Sequence, residues 1–346
     1  MKKRLLGLDV VRAISAILIV LYHYTYRYGE HEIFNQYSIV WSFQVPWGCL
    51  AIVTFFMLSG FLVYDEAVRS VRPIKYFFKR CCRLFPVLWA AIIITLLFEI
   101  MLFPSAIPTL KEIILNFTGC PQILGARYVD GAYWTLQYEF VFLIWITLSI
   151  MLNKLLKKSV ADYIIVFLVI ISIFIYAIQF LSPDTDIALL RLLMMPEYIG
   201  VFALGYFTNK FFQMEKRLKM EPIIAICWLS CFIWLTFERL IFLLINWFIV
   251  IYIVYKKERS FINRKNIITT VFVKVASFSY PLYLIHQNVG YCVINVLIKN
   301  GCDSEVILII PILVSVIIAF MLNTLIEKPI LNLVRSRMNY DGRSAN

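Results

Sequence analysis

Apolar runs long enough to cross a bilayer alternate with short polar stretches along almost the whole chain. A helix needs about 20 mainly apolar residues to span a bilayer core. Runs of that kind fall at roughly 5–25, 45–64, 84–103, 134–152, 161–181, 191–209, 222–237, 240–255, 273–298 and 306–326. The seventh and eighth are short, and Glu238-Arg239 divides them, which predicts a tight hairpin. The pattern predicts an all-α integral membrane protein, a bundle of about ten transmembrane helices. The pattern predicts no attached soluble domain. The longest segment between spans is about 104–133, so residues 1–330 read as one transmembrane domain and 331–346 as a short polar tail. Paired Gly/Pro-broken helices in matching halves, a mark of transporters, are absent from the pattern.

The first run, LLGLDVVRAISAILIVLYHY, carries three residues that lipid penalises: Asp9, Arg12 and His23. A charge as deep as Arg12 costs several kcal/mol unless something meets it. Asp9 lies three residues earlier, on the same helix face. His23 follows Arg12 by eleven residues, which returns it to nearly that face, ~16 Å further along the axis. One helix thus displays a cation and an imidazole at two depths. The plainer reading is an Asp9–Arg12 salt bridge and an interfacial histidine, since buried polar groups also glue helices together.

Composition agrees with the membrane reading. The 346 residues are 62% hydrophobic and 16% charged, and their mean hydropathy is +0.82; a soluble protein needs a larger polar shell. The net charge of +12 does not point to nucleic acid, because the Lys and Arg sit in short loops rather than on one basic face. With the N-terminus inside, most of the 33 Lys and Arg fall on the inner side. Arg27, Lys111, Arg127, Arg239 and Lys299 are left outside. The positive-inside rule then predicts that both termini are cytoplasmic. The start, MKKRLL, has no small-residue cleavage site after it, so it reads as mature protein. Eight scattered Cys with no CxxC pair or Cys/His cluster argue against a metal site. Cys120 and Cys302 both fall on outer segments, the one pair positioned for a bridge.

Six short motifs follow one another in order. They are Leu8-Asp9 with Arg12-Ala13 and His23; Phe55-Phe56-Met57-Leu58-Ser59-Gly60-Phe61-Leu62; and Lys79-Arg80-Cys81-Cys82-Arg83-Leu84-Phe85-Pro86. Then come Trp134-Thr135-Leu136-Gln137-Tyr138-Glu139; Ser279-Tyr280-Pro281-Leu282-Tyr283-Leu284-Ile285-His286; and Glu327-Lys328-Pro329. Together, across nearly the whole chain, they resemble the integral-membrane acyltransferase-3 family, which O-acylates sugars using acyl-CoA. The chain departs from the family pattern at Phe140, where a second Glu often stands, and at Gln287-Asn288, where a Trp-Pro pair is frequent.

The resemblance implies a membrane-bound O-acyltransferase, most simply an O-acetyltransferase of the cell (plasma or inner) membrane. Its partners would be acyl-CoA, such as acetyl-CoA, as donor substrate and an exported glycan or lipid-linked saccharide as acceptor, with no bound cofactor. Acyl transfer to a hydroxyl needs a base or nucleophile, stabilisation of the oxyanion and a held donor. His23 is the best base, because an imidazole titrates near neutrality; it is equally suited to carry the acyl group itself. Asp9 and Glu139 are candidate orienting groups, although Asp9 and His23 stand ~21 Å apart on one rigid helix. The resemblance turns Arg80 and Arg83, otherwise ordinary positive-inside flanking residues, into candidate ligands of the CoA phosphates together with Arg12, since guanidinium groups bind phosphate by paired hydrogen bonds.

Each remaining position has two readings. Ser59-Gly60 is a hydrogen-bond donor or a packing notch. Trp134 is a substrate platform or part of an aromatic belt. His286 is functional or a satisfied core histidine. Glu327 is a ligand or the partner of a nearby Arg. Glu197, in Met195-Pro196-Glu197-Tyr198, is a functional carboxylate or the polar edge of a proline kink. Acceptor choice is assigned to segments 26–44 and 104–133, which carry no motif. The alternative function is a transporter or flippase for a lipid-linked saccharide whose path is lined by the same polar residues.

Overall fold

The computed structural model describes residues 5–69, 72–157, 160–213, 220–256, 266–302 and 304–343, the side chains of 65–69 and 338–343 excepted. Much of the charge asymmetry rests on Lys2, Lys3, Arg4, Lys158, Lys216, Arg217, Lys219, Lys257, Arg259, Arg264 and Lys265, which lie outside the described residues. Arg69 and Arg343 are described in backbone only.

The described residues form helices, turns and loops, with no strand among them. In chain order the helices are α1 (Leu6–Tyr22), α2 (Ala51–Arg69), α3 (Pro73–Leu102), α4 (Leu110–Asn116), α5 (Trp134–Leu156), α6 (Ala161–Leu181) and α7 (Ala188–Met194). They continue with α8 (Pro196–Gln213), α9 (Glu221–Trp234), α10 (Phe237–Tyr255), α11 (Ile267–Ser277), α12 (Ser279–Lys299), α13 (Ile309–Leu322) and α14 (Lys328–Arg343). Nine helical segments among the described residues are long and apolar enough to cross a membrane, so the all-α, multi-spanning class holds. Large apolar side chains such as Phe174, Phe180 and Phe232 stand exposed, as expected where lipid is the solvent.

The seventh expected span is shorter than the sequence pattern predicts. Residues 222–237 become α9, only 14 residues long, or about 21 Å against a ~30 Å hydrocarbon core. The break before α10 also moves, from Glu238-Arg239 to Leu235-Thr236, both with extended backbone. Glu238 falls instead in the first turn of α10, where a carboxylate is favoured by the helix dipole. The ninth run divides at Phe278 between α11 and α12. The sixth divides at Met195, a non-glycine residue at φ 52 that closes α7. Arg191 Nε donates to Glu197 Oε1 at 2.6 Å across that break, which accounts for Glu197 as the polar edge of the Pro196 kink. Cys120 and Cys302 are free thiols and form no bridge with each other.

The chain packs as two compact units. The first comprises Met1–Ser15, Leu50–Phe77 and Tyr138–Val273. It is organised on α2 packed against α8. Gly60 faces the Phe202 carbonyl and Gly205 faces the Met57 carbonyl; a Cβ on either would fall 1.9 Å from that oxygen. Two reciprocal glycines therefore set this close backbone approach. Asn209 Nδ2 locks the pair by donating to the Phe61 carbonyl at 2.6 Å. The Gly60 half of the Ser59-Gly60 motif is thus a packing notch.

The second unit comprises Ala16–Cys49, Phe78–Gln137 and Lys274–Asn346. Its centre is α12, buried over most of its length and packed on α13, on the π-helical turn His23–Arg27 and on the 3-10 turn Gly131–Tyr133. Tyr24, Tyr28, Phe34, Phe103 and Tyr291 form its aromatic core. A second π turn, Asn323–Glu327, continues α13 into α14.

Candidate active site

The expected site residues divide between the units. In the first, Asp9 is buried and Arg12 half-buried on α1. Ser59 Oγ donates to Glu139 Oε1 at 3.2 Å, so the donor reading of Ser59 has a definite acceptor, and two of the six motifs meet here. Both residues are half-buried.

The second unit holds His23, Arg80, Arg83, Trp134, His286 and Glu327. His23 opens the π turn that follows α1; single π turns inserted in helices occur frequently at functional sites. Its Nδ1 lies 3.2 Å from the Tyr291 hydroxyl, which leaves Nε2 as the nitrogen for chemistry. The His286 ring packs edge to face against it, centroids 4.9 Å apart at 76°. The two histidines, 263 positions apart in sequence, are thereby brought together.

His286 is fully buried. Its Nδ1 donates to the Tyr283 carbonyl at 2.8 Å, because a carbonyl only accepts. That fixes the tautomer and leaves a lone pair on Nε2, which has no hydrogen-bond partner. Tyr24, next to His23, donates to the His286 carbonyl at 2.6 Å and accepts from Ser315 Oγ at 2.7 Å. This closeness requires Gly290, where a Cβ would fall 2.2 Å from the Tyr24 hydroxyl.

Motif residues of this unit hold one another. Thr135 Oγ1 donates to the Tyr283 hydroxyl at 2.7 Å, and that hydroxyl donates to the Ala132 carbonyl at 2.9 Å. Tyr280 donates to the Leu84 carbonyl at 2.8 Å, two residues before the helix-interior Pro86. Arg83 Nε stands 3.9 Å from Glu327 Oε1, the Arg partner expected for that carboxylate. Asn323 Nδ2 donates to the other oxygen at 2.9 Å. Trp134 begins α5, half-buried, and Arg80 is half-buried on α3.

Three polar residues at the centre of this unit escaped the sequence reading. Glu99 and Asp130 are fully buried and Asn288 nearly so. Asn288 Nδ2 donates to Glu99 Oε1 at 2.8 Å and to the Val129 carbonyl at 2.9 Å. Its backbone N–H donates to Asp130 Oδ2 at 2.9 Å, while Asp130 Oδ1 caps the turn through Ala132 N at 2.8 Å. Burial pushes the Asp130 carboxyl up to about 7, against these two N–H bonds, which favour the ionised form. An acidic residue inside the apolar run Leu97-Phe98-Glu99-Ile100 was the available signal. Asn288 belongs to the dipeptide that replaces the usual Trp-Pro, so that departure carries a role of its own. Nearby, Thr109 backbone and hydroxyl, with Arg127, hold Glu112 down to about 2 and brace the 104–133 segment.

The acyltransferase-3 model, an acyltransferase domain, matches residues 5–326. The chain belongs to the acyltransferase-3 family. That match takes in every expected site residue except Glu327, which lies one position beyond it. Among relatives of the chain, nodulation protein 10 of Rhizobium leguminosarum bv. viciae is 25% identical over 245 residues, 64% of this chain and 65% of that protein. An O-acetyl transferase of Shigella phage Sf6 is 26% identical over 178 residues, 48% of this chain and 50% of that one. The chain thus spans between half and two thirds of the length of these relatives. No solved structure matches it.

Proposed function

We propose that this protein is a membrane-bound O-acyltransferase of the cell membrane. It moves an acyl group, most simply acetyl, from cytoplasmic acyl-CoA to a hydroxyl of a cell-surface or lipid-linked saccharide. The observation that carries the reading is His23: a half-buried imidazole whose Nδ1 is engaged by Tyr291 and whose ring is backed by His286, within a matched acyltransferase domain. The name of the phage relative, an O-acetyl transferase, supports acetyl as the group moved.

In the reaction, His23 Nε2 takes the proton of the acceptor hydroxyl. The acceptor oxygen forms its bond to the thioester carbon, the C–S bond breaks, and the proton passes to the departing CoA sulfur. Arg80 and Arg83 bind the donor phosphates at the cytoplasmic surface, and Arg12 is a further candidate ligand of the donor. Asp9 and Glu139 orient neighbouring groups. A two-step route through acyl-His23 is distinguished by a trapped acyl-protein on mixing with acetyl-CoA alone.

The test is CoA release by the purified full-length protein, with mass analysis of glycans from cells carrying wild type or His23→Ala. The expected result is acetyl-CoA turnover that falls by roughly 10²–10⁴ in His23→Ala, with loss of the acyl group from the glycan. Absence of CoA binding and release with every acceptor overturns the proposal and returns the chain to the transporter reading.

A further inference from the structure

The segment between α1 and α2 carries no motif, yet it is built rather than slack. One side chain clasps it: Asn35 Nδ2 donates to the Gly29 carbonyl at 2.8 Å and the Ile39 carbonyl at 3.1 Å, and Asn35 Oδ1 accepts from Ile39 N at 2.8 Å. Ser38 sits at φ 52 without being glycine. Backbone held in that sparsely populated region collects at ligand clamps and active sites. The clasped segment encloses an open hollow of about 220 Å³ lined by Glu30, His31, Glu32, Asn35 and Ser38. Pockets for drug-sized ligands run to roughly 300–1,000 Å³, so this one suits a single small polar ring.

Its chemistry is that of hydroxyl recognition. Phe34 N–H points at His31 Nδ1 at 3.5 Å, which leaves the ring proton on Nε2 as a donor. Burial, and then Arg27, lower the His31 pKa from its ordinary value, which favours the neutral ring. The Tyr26 hydroxyl and Arg27 hold Glu30 below the usual carboxylate range, and Arg27 Nη1 pairs with it at 3.1 Å. Glu32 is exposed and adds a second carboxylate, so the lining is net acidic. Carboxylate oxygens, a hydroxyl and an imidazole N–H suit the adjacent hydroxyls of a sugar, and the net charge disfavours an anionic one.

The hollow also adjoins the site. The His31 ring packs edge to face on Tyr291, centroids 5.3 Å apart at 69°, and the Tyr291 hydroxyl meets His23 Nδ1. A single ring stands between a wall of the hollow and the proposed base.

The geometry points to this hollow as an acceptor subsite beside the reacting one: it takes one neutral or amino-bearing ring of the acceptor saccharide through its hydroxyls, next to the ring that is acylated, and rejects uronic acids. This assignment rests on the acyltransferase reading for its role as acceptor site, but saccharide binding is measurable without any acyl donor. Saturation-transfer NMR on the full-length protein in lipid nanodiscs, with methyl glucoside, methyl glucosaminide and methyl glucuronide as probes, reads saccharide binding, and the Glu32 variants assign it to the hollow. The expected result is transfer to the first two and none to the third. Glu32→Gln weakens the glucoside by about tenfold, the scale of one charge-assisted hydrogen bond, and admits the glucuronide. Glu32→Asp retains part of the binding, which separates loss of the carboxylate from loss of the fold. No transfer to the glucoside in wild type, or equal transfer in wild type and Glu32→Gln, overturns the subsite. CoA release is followed on the same samples. Sugar binding without CoA release leaves the saccharide site standing and removes the acyltransferase reading.

Discussion

At the scale of single residues, the arrangement turns on what each ring nitrogen and hydroxyl is tied to. Tyr291 is fully buried, and its hydroxyl is the partner of His23 Nδ1. Tyr291→Phe keeps the ring and removes that partner. We expect kcat to fall roughly tenfold, the cost of one hydrogen bond, and the midpoint of the pH–rate profile to move. A packing defect alone would lower the amount of folded enzyme and leave that midpoint in place. His23, His286 and Glu139 were legible in the sequence because ionisable groups inside apolar runs stand out. Tyr291, Tyr24 and Asn288 were not. A tyrosine or asparagine in a membrane helix is common, and only the fold shows which hydroxyl faces which imidazole.

At the scale of elements, close approaches and irregular turns place these groups. Gly290 admits Tyr24 against α12, and Tyr24 in turn anchors the His286 carbonyl. Gly290→Ala inserts a methyl where no room exists. Overpacking of this kind costs about 1–3 kcal/mol, and we expect a lower thermal midpoint in detergent together with reduced CoA release. An unchanged midpoint would show that Tyr24 is not fixed as described. Each of the two π turns among the described residues contains a motif residue, His23 or Glu327. Hydrophobic periodicity locates a helix but not a local change in its winding, which is why the spans were legible and these turns were not. The same limit explains α9. The run of apolar residues is present, but the extended pair Leu235-Thr236 cuts the helix short.

At the scale of the whole molecule, loop charge supplies the expected orientation: a cytoplasmic N-terminus and an outward-facing segment between α12 and α13. That segment contains Cys302, an exposed free thiol, and hence a built-in reporter. A membrane-impermeant maleimide is expected to label Cys302 in intact cells, with Cys302→Ser as the control. Labelling only after permeabilisation would reverse the topology and place the hollow at Glu30–Ser38 on the donor side. The class of fold was readable because a bilayer demands long apolar stretches whatever their tertiary partners. The division into two units was not, because it depends on which helices pack together across long separations in the chain.

The interlocking of distant motifs bears on how such genes can recombine. Arg83 with Glu327, Thr135 with Tyr283, and the Leu84 carbonyl with Tyr280 are each joined across 148 to 244 positions. A crossover between two diverged parents anywhere from Thr135 to Tyr280 separates all three couples at once. Chimeras are best tolerated when the exchanged block carries both members of a couple. The lineage is thereby steered towards drift within an intact frame rather than towards the shuffling of halves.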